Sequence, residues 1–308
     1  MLPGDIYSQP NAVDPVLEER TVLDLVQRHG VRCSAVTRID ETGGEARAYV
    51  LDDRLVLKVQ RPHRLRPRTS LEKEAFFLQQ LAAYPDIVVP RVLGYGRHDP
   101  VEYIVMTRMP GVAALTVELT GMQRRDVLHQ LGRTLRRLHA LPQASFYGSA
   151  LVPGPRTREA FVEQARANLN QAVRVMADTP GLWQLDVAPA DLASRVLATL
   201  PVAVDLVTLH SNPGPVHTFV HPDTRAFIGL IDFGDAYIGH PALDWRWPTH
   251  ADRVALLHGY SDETPVSDEF MVAWRAALAL SDMAMLATRP QTRPQTLERL
   301  RDLLVTWT

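Results

Sequence analysis

The chain has 308 residues, of which 46% are hydrophobic, and its 33 basic and 35 acidic side chains leave a formal net charge of −2. This nearly neutral composition predicts a folded protein and excludes the overall attraction to nucleic acid or anionic membranes that a strongly basic chain would have. The one cysteine, Cys33, excludes an internal disulfide and suits a reducing, cytoplasmic location, and the first residues lack the apolar run that would indicate a secretory signal.

The first hundred residues show short alternating patterns, which favour strands, and two segments with helical periodicity. Helices are predicted over 17–28, with Gly30 as a stop signal, and over 71–83, with Ser70 as the N-cap. The basic segment 61–68 contains prolines and is expected to be a solvated connection. Strands are predicted over 35–38, 46–52, 54–60, 90–95 and 102–108.

The hydrophobic pattern changes after Met109-Pro110-Gly111, where the proline and glycine interrupt regular secondary structure. Beyond this point apolar residues begin to recur with a helical period. The apolar run 197–209 is interrupted by a proline and an aspartate, so no membrane-spanning helix is expected. These patterns predict an α+β fold, with a small β-rich lobe over 1–108 and a larger, mainly helical lobe over 109–308. Helices are predicted over 124–141, 158–177, 190–200, 268–288 and 295–305, and a strand-rich stretch over 207–231.

Lys58 lies inside an apolar predicted strand and is one of only two lysines among the 33 basic residues. A charge in such a strand costs free energy unless its side chain points to solvent or pairs with an opposite charge. Glu74 and Glu72, on the helix that follows, are the candidate partners. An exposed strand lysine without a special role is the alternative.

Two other features have the chemistry of a phosphate-binding site. The turn at Gly43 and Gly44 can lay backbone N–H groups over phosphates, although an ordinary hairpin turn is equally consistent with it. Asp232 follows a strand that looks buried and precedes a glycine turn, so its carboxylate can reach a cleft and hold a metal ion that bridges phosphates. A turn-capping aspartate is the alternative there.

The densest group of such residues lies between 209 and 244, in three short motifs. Their order and spacing resemble the aminoglycoside phosphotransferase family, a small-molecule branch of the protein-kinase-like fold. That family carries H-G-D-x-x-x-x-N, then I-D-[WF]-G-D, then G-D-P-x-x-D. The corresponding residues here are Leu209-His210-Ser211-Asn212, Ile231-Asp232-Phe233-Gly234-Asp235 and Gly239-His240-Pro241-Ala242-Leu243-Asp244. The resemblance covers nearly the whole chain and is most specific in this segment.

This resemblance implies a two-lobed protein-kinase-like fold and a site that binds ATP, or another nucleoside triphosphate, with Mg2+ or Mn2+. It implies that Lys58 contacts the α and β phosphates while paired with Glu74, beneath the glycine turn. Backbone groups around Thr107 and Met109 would contact the adenine, and Asp232 would hold the metal. The implied partner is a small-molecule substrate, not nucleic acid and not a membrane.

The catalytic loop departs from the family pattern at its most important position. Asn212 takes the place of the aspartate that accepts the proton of the acceptor hydroxyl, and His217 takes the place of the metal-binding asparagine. His210 keeps the first position of the motif, and Asp244 is expected to anchor the loop. Two hypotheses remain: a phosphotransferase with weak or atypical activity, and a catalytically inactive pseudokinase that binds a nucleotide or metabolite.

Spacing disfavours two other kinds of site. His217 and His221 would lie on one face of a strand about 13 Å apart, too far to share a metal ion. Ser211 beside His210 lacks the nucleophile-elbow pattern of a serine hydrolase. Residues 251–308 carry eight acidic and six basic side chains, a small excess that does not identify the acceptor.

Overall fold

The structure is a computed structural model that describes residues 14, 16–62, 70–98, 101–200 and 205–307. Its first part contains α1 (Glu19–Gln27), β1 (Val36–Asp40), β2 (Ala46–Leu51), β3 (Leu55–Gln60), α2 (Leu71–Leu81), β4 (Val92–His98) and β5 (Val101–Thr107). The strands form one antiparallel sheet in the order β1-β2-β3-β5-β4. Both predicted helices and all five predicted strands of this part are confirmed, and the predicted solvated segment 61–68 lies mostly outside the described residues.

The second part is mainly helical. Its helices are α3 (Gly121–His139), α4 (Ala144–Tyr147), α5 (Arg158–Asp178), α6 (Pro189–Thr199), α7 (His250–Tyr260), α8 (Asp268–Thr288) and α9 (Arg293–Val305). Its short strands are β6 (Val112–Ala113), β7 (Val207–Leu209), β8 (Thr218–Val220), β9 (Phe227–Leu230) and β10 (Tyr237–Gly239), paired as β7-β10 and as β6-β8-β9. The predicted α+β class, with a sheet in the N-terminal part and helices in the C-terminal part, is confirmed, whereas the lobe boundary at residue 108 stays a prediction.

The sequence pattern failed to predict α7. Two of its buried positions carry charged residues, Asp252 and Arg253, so the apolar stripe that identifies a helix is interrupted. A local signal was present: the Thr249 side chain accepts a hydrogen bond from the backbone of Asp252, whose carboxylate accepts one from the Thr249 backbone. This capping box fixes where the helix begins.

Two glycines let α7 pack unusually close to α3. A Cβ atom added at Gly132 would lie 2.1 Å from the carbonyl oxygen of Leu256, and one added at Gly259 would lie 1.9 Å from that of His129. Only residues without a side chain permit this separation, so both helices are held in a fixed register. The arrangement matters for the site because α3 ends at His139, whose ring contacts Asp244, and Asp244 holds the backbone of the catalytic loop.

An aromatic stack joins the first part of the chain to the second. The ring centroid of Phe77, on α2, lies 4.9 Å from those of Phe146 and Phe233. Aromatic pairs of this kind contribute about 0.5–1.5 kcal/mol beyond their buried area. Because Phe233 follows Asp232 directly and α2 carries Glu74, the stack fixes two acidic residues of the site relative to each other.

The longest apolar helix is α8. The sequence-based expectation that no helix spans a membrane considered only the apolar run 197–209 and did not consider this helix. Its length and composition would suffice for a membrane span, but 67% of its most apolar window is buried inside the protein. A core helix meets the same test, and α8 packs against the described residues of α5, α6 and α9. Of the apolar run 197–209, residues 201–204 lie outside the described part of the chain.

Candidate active site

Lys58 lies at the centre of the site, between two carboxylates. It alternates with the buried Leu57 and Val59 on β3, so its side chain leaves the sheet on the face opposite theirs. Its Nζ atom donates hydrogen bonds to Oε2 of Glu74 at 2.7 Å and to Oδ1 of Asp232 at 2.6 Å. The predicted pairing of Lys58 with Glu74 is thereby confirmed.

The competing partner, Glu72, lies on the exposed face of α2. Its carboxylate is 3.4 Å from the guanidinium of Arg97 on β4. Such an exposed ion pair contributes little to stability. The two glutamates are two residues apart and so point to different sides of α2, and only Glu74 faces the ammonium group.

The three charged groups shift one another's pKa. Burial opposes the charged form of Lys58, but the negative charges of Asp232 and Glu74 outweigh it and raise the pKa of the ammonium group. Burial likewise opposes ionisation of Asp232, yet the charges of Lys58 and His217 hold the pKa of that carboxyl well below its ordinary value. Burial raises the pKa of Glu74, which is only 1% exposed. Of the two carboxyls that contact Lys58, Asp232 is therefore the more readily ionised.

The backbone at Asp232 is in the left-handed region, with φ of +71°. This conformation is uncommon for a residue other than glycine and is typical of functional turns. It follows β9 and directs the carboxylate into a cleft where the side chain keeps 34% exposure. Ser211, before Asn212, has a similar φ of +82°.

His210 is a buried, uncharged support of the catalytic loop. Its Nε2 faces the carbonyl oxygen of Ile231 at 3.0 Å and must therefore carry the proton, while Nδ1 accepts a hydrogen bond from the Asn212 backbone at 3.3 Å. Burial lowers the pKa of His210 to about 4. At neutral pH the ring orients the loop against the Asp232 segment and offers no free lone pair for proton transfer.

Asp244 anchors the same loop, as predicted. Its carboxylate is fully buried and accepts hydrogen bonds from the backbone of His210 at 2.9 Å and of Ser211 at 2.6 Å. It also accepts one from Nε2 of His139 at 3.0 Å, and Nδ1 of His139 in turn contacts the hydroxyl of Tyr260 at 3.1 Å. His139 was not predicted from the sequence, although its place on the buried face at the end of α3, four residues after Leu135, was a usable signal.

His217 bridges the catalytic loop and Asp232. Its Nδ1 donates to the backbone carbonyl of Asn212 at 2.8 Å, and its Nε2 lies 3.1 Å from Oδ2 of Asp232. Burial opposes the protonated ring, but the charge of Asp232 outweighs it and raises the pKa of His217. His221 does not take part in this bridge between the loop and Asp232. Its Nδ1 instead accepts a hydrogen bond from the backbone N–H of Asp223, in a neighbouring turn.

The side chains at this point fit a divalent ion that nucleotide phosphates would help to hold. The 3.1 Å between Nε2 of His217 and Oδ2 of Asp232 suits neighbouring ligands of one ion with bonds of about 2.1 Å. Within the described ranges no group of three or more His, Cys, Asp or Glu side chains is arranged as a metal site. Mg2+ commonly needs only one or two protein ligands when phosphates supply the others.

These residues line a cleft of about 250 Å3. The described residues that line it are Thr42, Gly43, Gly44, Glu45, Ala46, Lys58, Gln60, Ser70, Leu71, Asn212, Val216, His217, Asp232 and Asp235. The predicted glycine turn, lysine, metal-site aspartate and catalytic loop are thus brought together at one opening. A side chain at Gly43 would collide with the carbonyl of Ala46, 2.6 Å from the added Cβ, so the turn requires glycine there.

The predicted adenine contacts, Thr107 and Met109, are not among the described residues that line this cleft. The N–H of Thr107 donates to the carbonyl of Arg91 at 2.9 Å, and that of Arg108 donates to the carbonyl of Arg54. These two amides are occupied within the sheet region. The backbone N–H of Thr107 is therefore not available to a base, and the role of Thr107 and Met109 stays a prediction.

The chain is similar to known phosphotransferases. The model of the phosphotransferase enzyme family matches residues 36–270. An aminoglycoside 3'-phosphotransferase of Streptomyces fradiae is 31% identical over 190 residues, which cover 56% of this chain and 67% of that protein. One of Streptomyces ribosidificus is 31% identical over 219 residues, covering 64% and 78%.

Solved structures share the fold. The macrolide 2'-phosphotransferase of Brachybacterium faecium is 24% identical, with a TM-score of 0.57, and the match covers 91% of this chain and 97% of that one. The GDP complex of aminoglycoside 2'-phosphotransferase-IIIa is 16% identical, with a TM-score of 0.59 and coverage of 94% and 98%. The family match and the curated relatives, together with this fold and the assembled motifs, show that the chain belongs to the phosphotransferase enzyme family that includes the aminoglycoside phosphotransferases.

Proposed function

We propose that this protein binds ATP in the cleft beside Lys58 and transfers its terminal phosphoryl group to a small molecule, with a rate limited by Asn212. The observation that carries the proposal is the position of Lys58, 2.7 Å from Glu74 and 2.6 Å from Asp232. Two carboxylates fix the ammonium group at the opening of the cleft, where it can meet phosphate oxygens. The relatives named for phosphotransfer and the nucleotide complexes of proteins with this fold support the same function.

The division of labour follows the two parts of the chain. Residues 1–108 would bind the nucleotide through the turn at Gly43 and Gly44, Lys58 and the backbone around Thr107 and Met109. Residues 109–308 would carry the catalytic loop and the acceptor. We place the protein in the cytoplasm, with a small molecule as its partner.

The proposed metal is Mg2+ or Mn2+, held by Asp232 and His217. When bound with the nucleotide, it would neutralise charge on the phosphates. His217 also holds the backbone of Asn212, so it links the metal position to the catalytic loop.

Asn212 sets the expected rate, because its amide cannot accept the proton of an acceptor hydroxyl as a carboxylate does. Phosphoryl transfer depends mainly on positioning and on charge stabilisation, so the loss of the proton-accepting carboxylate slows the reaction without abolishing it. A second candidate function is nucleotide binding without transfer. The observation that favours this second function is that both carboxylate oxygens of Asp232 are already in contact with protein groups. Lys58 contacts Oδ1 and His217 contacts Oδ2.

ATP with Mg2+ or Mn2+ is expected to raise the melting temperature, because a ligand that binds only the folded state stabilises it. Calorimetric titration should then show that Lys58→Ala and Asp232→Asn each weaken nucleotide binding at least tenfold. Arg97→Ala removes an exposed cation from the neighbouring β4 and serves as the control with unchanged affinity. If millimolar nucleotide neither shifts the melting temperature nor binds, both candidate functions are wrong.

Mn2+ is expected to support nucleotide binding at least as well as Mg2+, since His217 offers an imidazole nitrogen where an oxygen ligand would suit Mg2+ better. His217→Asn should shift the preference back toward Mg2+, measured as the ratio of nucleotide dissociation constants with each ion. His221→Asn, which changes a histidine outside the cleft lining, is the matched control. Equal ratios in the His217 variant and the unaltered protein would show that this ring does not face the ion.

A further inference from the structure

A second cavity lies beside the catalytic loop and shares no described lining residue with the nucleotide cleft. It has a volume of about 60 Å3 and is formed by α5, β10 and α8 together with Arg246 and Arg289. A cavity of that volume has room for a small polar group or a few water molecules, since one water needs about 10–15 Å3 by the same measure. Its walls include the apolar side chains of Phe161, Leu280 and Met285.

Arg246 connects this cavity to the catalytic loop. Its Nε donates to the backbone carbonyl of Ser211 at 3.1 Å, one residue before Asn212. Its Nη1 donates to the hydroxyl of Ser281 on α8 at 3.3 Å. A ligand group bound to this guanidinium is therefore held next to the position where the acceptor hydroxyl must react.

The charge at the cavity is positive. Arg246 has no carboxylate within ion-pair distance in the part of the chain that the structure describes, and its recorded partners are a carbonyl, a hydroxyl and a thioether. Arg289 lies in the same wall, and the described lining contains no aspartate or glutamate. A partly buried guanidinium among neutral partners favours an anionic ligand.

Several acidic residues of 251–308 are already bound by arginines of the protein, and none of the eight is among the described residues that line this cavity. Asp282 is enclosed by Arg253 and Arg299, and Asp252 is paired with Arg124 at 2.6 Å. Glu263 is likewise held by arginines of α3. The described walls of this cavity therefore offer no carboxylate to a polycation.

We propose that this cavity binds a carboxylate of the acceptor through Arg246, so that the substrate is a small hydroxylated, carboxylate-bearing molecule rather than a polycation. The inference rests on the proposed phosphotransferase function and names the substrate class of that site. A carboxylate matches the planar fork of an arginine, and the cavity has room for that group.

The reaction on such an acceptor balances without further reagents. A lone pair of the acceptor hydroxyl oxygen forms the new bond to the γ-phosphorus of ATP as the bond from that phosphorus to the β–γ bridging oxygen breaks. The electron pair of the broken bond leaves with ADP. The hydroxyl proton passes to water, since Asn212 cannot accept it.

The test uses three probes of similar shape and different charge: benzoate, benzamide and benzylamine. Calorimetric titration of the full chain, with and without a non-hydrolysable ATP analogue, should show binding of benzoate at least tenfold tighter than that of the other two. Arg246→Gln should remove most of this preference. Ala284→Leu, which fills the cavity without changing its charge, should block benzoate as well, and Arg174→Gln on the exposed face of α5 should leave it unchanged.

Each outcome separates this inference from the proposed function. If the ATP analogue binds and benzoate binds no better than benzamide, the carboxylate assignment is wrong while the phosphotransferase proposal stands. If benzoate binds through Arg246 but no nucleotide binds, the phosphotransferase proposal fails and the anion site stands alone. Tighter binding of kanamycin than of benzoate, or an unchanged preference in both the Arg246→Gln and Ala284→Leu variants, would overturn the inference.

Discussion

Replacing Asn212 by aspartate is expected to raise phosphoryl transfer by about 10²-fold or more, because it restores a carboxylate that can accept the hydroxyl proton. The two side chains have nearly the same size, and the backbone of residue 212 is held from both sides. Its N–H donates to Nδ1 of His210, and its carbonyl accepts from Nδ1 of His217. The new carboxylate should therefore occupy the place of the amide. ADP release from ATP, with water or an added hydroxy acid as acceptor, measures the gain.

The double variant Asn212→Asp/His217→Asn tests whether the metal position limits the gain. It rebuilds both residues of the family motif, so its activity should equal or exceed that of the single variant. Adding Asp232→Ala should abolish the increase, because a proton acceptor is of no use without correctly held phosphates. Asn212→Ala is the control for a change of side chain without a carboxylate.

Two outcomes would contradict this interpretation of Asn212. If Asn212→Asp folds, binds ATP with unchanged affinity and gains no activity, the acceptor site has been lost and the nucleotide-binding alternative is favoured. If the unaltered protein already turns over rapidly with some hydroxy acid, the amide does not limit the rate. Either result is decided by the same measurement of ADP release.

The parts of the site that the sequence predicted depend on local patterns. Lys58 could be found because a charge within an apolar strand is costly. The helix after it offered two candidate partners, Glu72 and Glu74, and the family resemblance selected Glu74. The Asp232 turn and the loop around Asn212 could be found from the spacing of a family motif. Each of these needs only a short window of sequence.

The parts that the sequence did not predict depend on contacts between distant residues. His139 contacts Asp244 across 105 positions, and Arg246 meets Ser211 across 35. Nothing in the neighbourhood of either residue identifies its partner, because the contact exists only after helices pack. The charge count of residues 251–308 did not identify an acceptor for the same reason, since it could not show which acids are paired with arginines.

Removing the carboxylate of Asp282 is expected to destabilise the protein by about 3–5 kcal/mol, because two buried guanidinium groups lose their counter-charge. Asp282 is fully buried on α8, and its oxygens accept hydrogen bonds from Arg253 on α7 and Arg299 on α9 at 2.5–2.9 Å. This cluster fixes the register of three helices, of which α8 forms a wall of the second cavity. Urea denaturation of Asp282→Ala measures the loss, with Glu298→Gln on the exposed face of α9 as the unaffected control.

Two further comparisons identify unpaired charge as the cause. A triple variant, Asp282→Leu/Arg253→Met/Arg299→Met, removes all the charges and should recover much of the lost stability, since apolar replacement of a whole buried cluster is often neutral or stabilising.

Burial opposes ionisation of Asp282, but the two arginines outweigh it and lower its pKa, so its contribution to stability is complete above the ordinary aspartate pKa. As the pH falls from there toward the lowered pKa, the stability difference between the unaltered protein and Asp282→Asn should shrink. A difference that stays constant through this acid range would mean that packing, not charge, makes Asp282 necessary.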